Sequence, residues 1–134
     1  MRTSLAVLVF AAACHGQPSR TLAETIAIKT KGDTASALLP KGTRLPASHA
    51  EVFSTELADQ GTFGVQLIVG DANKASANRS LLDVAVPLEH RGPAGVPQID
   101  FTIKVDAAGK ITVDANERGG SGAFHRDDLV VAID

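Results

Sequence analysis

Three constellations in this 134-residue chain carry side chains capable of chemistry. His125 stands beside Asp127 and Asp128, a set that would suit a cation or acid/base work. Adjacent residues of a strand point to opposite faces, and no further carboxylate recurs at calcium-loop spacing, so the expectation here is a solvated turn before a last strand. Gly119-Gly120-Ser121-Gly122 has the glycine density of a phosphate cradle. No Gly-Lys-Ser/Thr follows it and no βαβ pattern surrounds it, so it reads as a plain loop. Ser54 and Ser80 lack the flanking glycines of a nucleophile elbow, and His49, His90 and His125 each read as surface groups and not as catalysts. The expectation is a protein without catalytic residues, not an enzyme.

Composition narrows the field further. The one cysteine cannot close an internal disulfide or build a multi-thiolate zinc site, and four scattered histidines do not supply the missing ligands. Neither a metal nor a cofactor is expected. With 13 Lys+Arg against 15 Asp+Glu there is no basic surface for nucleic acid, and the absence of Trp and Tyr removes the usual stacking platforms. Hydrophobic residues at 44% suffice for a core, and the length is that of one domain.

The N-terminus reads as a targeting segment. Arg2 precedes the uncharged run LAVLVFAAA (Leu5 to Ala13), which ends in small residues followed by Cys14, the layout of a secretory signal peptide. Nine apolar residues make roughly 14 Å of helix, less than half the hydrocarbon thickness of a bilayer. AAAC resembles a bacterial lipoprotein signal, which implies that Cys14 becomes the lipidated first residue of the mature chain. The expected organisation is a signal peptide at 1–13, a tether at 14–20 and a β domain at 21–134. The expected location is the cell envelope, with a lipid anchor in a bacterial membrane, or otherwise the periplasm or the exterior.

From Thr21 onward the apolar residues recur at every second position, the period of strands. Ile26 and Ile28 alternate with Ala and Lys; Phe63, Val65, Leu67 and Val69 alternate in TFGVQLIVG; Leu82, Val84 and Val86 alternate in LLDVAVP. IDFTIKVD (Ile99 to Asp106) and KITVDA (Lys110 to Ala115) flank Ala107-Ala108-Gly109, where glycine supplies the positive φ of a tight hairpin. LVVAI (Leu129 to Ile133) is expected to close a sheet. About eight short strands without an amphipathic helix predict an all-β antiparallel sandwich.

Two segments carry a resemblance. LPASHAEVFSTELADQGTFGVQLIVGD (Leu45 to Asp71) and GVPQIDFTIKVDAAGKITVDA (Gly95 to Ala115) resemble the β-sandwich substrate-binding domain of the DnaK-type seventy-kilodalton heat-shock chaperones. The recurring family strings are I-P-x-x-x-x-x-F-S-T, V-x-I-x-V-x-Q-G-E and R-G-V-P-Q-I-x-V-x-F-D-I-D-A-N-G-I-x-x-V-x-A. The match runs from about Thr21 to Ile133. In that family the domain clasps extended apolar peptides, the main chain held by hydrogen bonds and one side chain by a pocket, a mode of recognition tolerant of sequence. The resemblance implies a pocket lined by Ile28, Phe53, Phe63, Val65 and Ile99, with Thr30 and Ser54 holding the peptide main chain.

The departures from the family strings are informative. Phe63 stands where the family carries a small β-branched aliphatic, so its ring occupies volume meant for a ligand side chain. Lys31 and Glu56 stand at the two positions that arch over the peptide, either as a polar latch worth about 0 to 1 kcal/mol or as two solvated charges. Ala94 replaces the Arg that the family uses to communicate with its ATPase domain. Neither an ATPase domain before Thr21 nor a helical lid after Ile133 is expected. The functional expectation is therefore an ATP-independent binder or holdase for extended, unfolded polypeptide segments, with no nucleotide and no nucleic acid as partner. The alternative is a structural or protein-interaction sandwich whose groove is closed.

Overall fold

The computed structural model describes residues 20–134. The signal segment, Cys14 with its expected lipid, and all of the tether but Arg20 lie outside the described residues. Eight strands follow one another: β1 (Ile26–Thr30), β2 (Thr34–Leu39), β3 (Ala47–Ser54), β4 (Thr62–Val69), β5 (Arg79–Pro87), β6 (Gln98–Val105), β7 (Lys110–Glu117) and β8 (Ala123–Val130). They form two antiparallel four-stranded sheets, ordered β2-β1-β4-β5 and β3-β6-β7-β8. The antiparallel sandwich is the expected fold.

Alternation explains how the layers meet. Phe63, Val65 and Leu67 of β4 face Ile99, Phe101, Ile103 and Val105 of β6 and Ile111, Val113 and Ala115 of β7 within one core. Each fully buried Leu, Ile or Val adds about 1.5–3 kcal/mol. Leu22 has no exposure and bridges to Ile133, so the first and last described residues close the same end of the sandwich.

The β6–β7 hairpin forms as the spacing predicts. Gly109 has φ +86°, and the Asp106 carboxylate accepts the N–H groups of Ala108 and Lys110, each at 2.9 Å. A Cβ on Gly109 would lie 2.5 Å from the Val131 carbonyl oxygen, so the chain after β8 packs directly on this turn.

Two expectations are corrected. His125, Asp127 and Asp128 lie inside β8 and not in a turn, and the last strand starts at Ala123, with Leu129 and Val130 at its end. The reason is cross-strand pairing: His125 sits opposite Asp114 of β7, with Nδ1 2.6 Å from the carboxylate, so charged residues line an outward face. The hydrogen bond to Asp114, with the nearby Asp114 and Asp127 charges, holds the His125 pKa above its ordinary value against the opposing effect of burial.

The first sheet also has a covered outer face. A single 3₁₀ turn at Ala75–Ala77 lays Ala75 over Ala27 and Ile68, and these three form a second small core. Ile68 faces it by the ordinary alternation of β4, opposite to Leu67 and Val69, while the register shift here leaves Leu81 of β5 as the extra residue.

Candidate functional site

The β1–β2 tip and the β3–β4 connection flank a cleft of about 570 Å³ at one end of the sandwich. That volume falls within the range of ligand pockets. Strand pairing explains why the cleft exists. β1 pairs with β4 only through Ile26, Ala27 and Ile28, opposite Val69, Ile68 and Leu67. β4 begins five residues earlier, so Thr62 to Gln66 have β5 on one side and, among the described residues, no strand on the other. Backbone donors and acceptors of this edge, apart from the Thr62 carbonyl that the Gln60 side chain occupies, therefore face the space between β4 and the end of β1.

The floor is aromatic. The Phe53 ring lies 5.8 Å from that of Phe63, tilted by 31°, and 5.6 Å from that of Phe101 in an edge-on arrangement. Ile28, Phe53 and Phe63 line the cleft as expected. Val65 and Ile99 do not: both have no exposure and belong to the sealed core, Ile99 directly opposite Phe53 and Val65 one inward position along from Phe63. The two rings occupy the volume that would have exposed them.

Thr30 and Ser54 lie at the cleft, but their hydroxyl protons are already committed. Thr30 donates to the Thr34 carbonyl at 3.3 Å, and Ser54 donates to the Pro97 carbonyl. A hydroxyl has one proton and two lone pairs, so toward a ligand each of these groups acts as an acceptor. Lys31 and Glu56 are exposed on the two rims, with no ion pair between them among the described residues. Of the two readings of this pair, solvated charges is the one observed.

Both flanking loops are braced from outside. On the β1–β2 side, Asp33 adopts φ +58°, its carboxylate accepts the Ser76 N–H at 2.9 Å and hydroxyl at 2.6 Å, and its carbonyl accepts the Ala75 N–H at 2.8 Å. The Ser76 hydroxyl bond chiefly holds the Asp33 pKa below the ordinary carboxylate value, with Lys29 and Lys74 assisting. On the β3–β4 side, the Gln60 side chain accepts the N–H groups of Glu56 and Leu57 and donates to the Thr62 carbonyl at 2.6 Å. The β5–β6 connection clamps the same loop: Gly95 donates to the buried Thr55, Asp59 to Gly92, and Leu88 to Gly61.

That connection is itself fastened by Glu117, which sequence reading passed over. Its side chain is only 1% exposed, yet it accepts backbone N–H groups from Glu89 and His90 at 2.7 Å and from Gly122 at 3.1 Å. Burial pushes the carboxyl pKa up, but these three bonds and nearby His90 outweigh it and hold the pKa below its ordinary value. A Cβ on Gly120 or Gly122 would collide with this carboxylate. The Gly119–Gly122 run thus closes around an anion after all, one belonging to its own chain. Nothing in its spacing marks Glu117, because it follows the inward alternation of β7 in which every other member is apolar.

Fold and cleft together define an antiparallel β-sandwich with a ligand-sized groove at one end, bounded by a free strand edge. The family model described as Hsp70 protein matches residues 21–126, and the chain belongs to the Hsp70 family. Similar proteins include the "Chaperone protein DnaK" of Ureaplasma urealyticum serovar 10, 32% identical over 93 residues that cover 69% of this chain and 16% of that protein. The DnaK of Mycoplasmopsis agalactiae is 35% identical over 94 residues, covering 70% of this chain and 16% of the relative. The DnaK of Guillardia theta is 32% identical over 99 residues, covering 71% and 15%. The chain spans about one-sixth of the length of these curated relatives.

Proposed function

We propose that this domain binds extended, apolar polypeptide segments by strand addition and holds them without catalysis and without ATP. The observation that carries this reading is the unpartnered edge of β4, Thr62 to Gln66, opening into a cleft whose two flanking loops are fixed in advance. Prior ordering of both loops lowers the entropic cost of closing on a ligand. Membership of the Hsp70 family, with relatives named as chaperones, supports the same class of ligand. Exposed Ala94, where the family strings carry the Arg used to communicate with an ATPase domain, supports binding that is indifferent to nucleotide.

The test is an anisotropy titration of labelled apolar peptides, with and without ATP, together with suppression of aggregation of a permanently unfolded protein. Saturable binding unchanged by ATP is the expected result. If no peptide saturates, the domain is instead a structural or protein-interaction module with a closed groove, the reading that Phe63 at 8% exposure favours. For location we propose the cell envelope through a lipid on Cys14, supported by the layout of residues 1–14. Mass spectrometry of the mature N-terminus is expected to find a diacylglyceryl-modified Cys14, and an unmodified terminus at another residue would overturn the anchor.

A further inference from the structure

We propose that Phe63 determines the specificity of this cleft, which takes extended segments whose central side chain is of alanine size or smaller and rejects a bulky aliphatic one. This rests on the peptide-clasping reading above.

The argument begins with the floor. Phe63 is 8% exposed and packed on Phe53, and Phe53 is packed edge-on against Phe101. Beside them Val65 and Ile99 have no exposure. An interior packed to this degree accepts no isobutyl group unless a ring is displaced. A leucine side chain would rest on the rings without sinking between them, and it would hold the ligand backbone away from the edge it has to reach.

The edge sets the opposite demand. Main-chain hydrogen bonds require donor and acceptor within about 3 Å, so a segment bonded to Thr62–Gln66 must lie close against β4. Gly64, in the middle of that stretch, keeps the approach clear: a Cβ placed there would meet nothing within 4 Å. Affinity therefore comes mainly from backbone pairing, and the closest approach belongs to the smallest side chains. Lys29, Lys31, Glu56 and Asp83 around the mouth are exposed and form no ion pairs among the described residues. They offer both signs of charge to flanking residues, as contacts that salt screens.

The experiment uses the full chain and labelled peptides with identical flanks that differ only in a central Ala or Leu. The wild-type protein is expected to bind the Ala-centred peptide more tightly than the Leu-centred one. Phe63→Val is expected to reverse the order by about tenfold in favour of Leu. A wild-type preference for Leu of tenfold or more overturns the assignment, as does a ratio unchanged by Phe63→Val in a protein that still melts cooperatively. Should Phe63→Val fail to fold, Phe63→Leu is the second variant, and the wild-type ratio alone already decides the sign. Failure of wild type and variants to bind any peptide defeats the clasping reading itself, a result distinct from tight binding with the wrong preference.

Discussion

Replacing Glu117 by Gln alters one atom at the point where the β5–β6 connection is fastened to the sandwich. With the Gln carbonyl oxygen in the place of Oε1, the bonds from Glu89 and Gly122 persist as neutral ones. The new NH₂ then points at the His90 N–H, which now bonds to Oε2 at 2.7 Å, so a donor faces a donor. A hydrogen bond to a charged group contributes about 1.5–3 kcal/mol, and an unsatisfied buried donor costs about 1–3 kcal/mol. Allowing for rotation of the amide and relaxation of the loop, the net loss is about 3 kcal/mol, or about 12 °C in Tm for a domain of this size. The pH dependence carries a sign. Because the native pKa of Glu117 is lowered, its contribution is complete above the unfolded carboxyl value near 4.5 and disappears as pH falls through the native pKa. Asp33, Glu89, Asp100 and Asp128, also lowered, lose stability over the same acid range in both proteins. The difference between wild type and variant is thus expected to be widest at neutral pH and to shrink below about pH 4.5. Urea denaturation curves at several pH values measure it directly. A loss under about 1 kcal/mol at neutral pH, or a difference constant into acid, would refute the reasoning.

Two further outcomes are expected. Gly109→Ala places a Cβ against the Val131 carbonyl at a φ of +86°, and is expected to destabilise the domain by about 2–3 kcal/mol, readable as a lowered urea midpoint at constant m. Asp114→Asn removes the chief cause of the raised His125 pKa, so an NMR titration is expected to show that imidazole returning toward its ordinary value; because the native pKa is raised, the associated stabilisation is present below the unfolded value near 6.5 and lost as pH rises through the native one.

Period-two alternation was legible for β1, β4, β5, β6 and β7, since each has one face in a common core. It could not reveal Ala27 and Ile68, which are buried on the other face by a connection whose path the pattern does not contain. Charges in β8 looked like a turn because an edge strand with a wet face carries the composition of a loop until its partner is known. At the cleft, the family resemblance located Ile28, Phe53 and Phe63, but residue type could not tell lining from core at Val65 and Ile99, both being apolar and inward. Nor could it show that Thr30 and Ser54 already give away their protons, or that Asp33 reaches Ser76 across 43 positions of sequence. Such contacts depend on loop geometry, which leaves no periodic trace.

The free edge of β4 has a bearing on how assembly stops. An exposed sheet edge ordinarily templates another edge, which templates the next, and the product is an open-ended fibril. Here the bare stretch is recessed, with β1 resuming the sheet at Ile28 and a braced loop on either side. On the strand-addition reading proposed above, the incoming segment would lie between these two loops. β2 would not cover the outer side of that segment, because β2 pairs with β1 only along Ile26–Thr30. The two braced loops, and not a neighbouring strand, are therefore what would hold the proposed strand addition to a single segment.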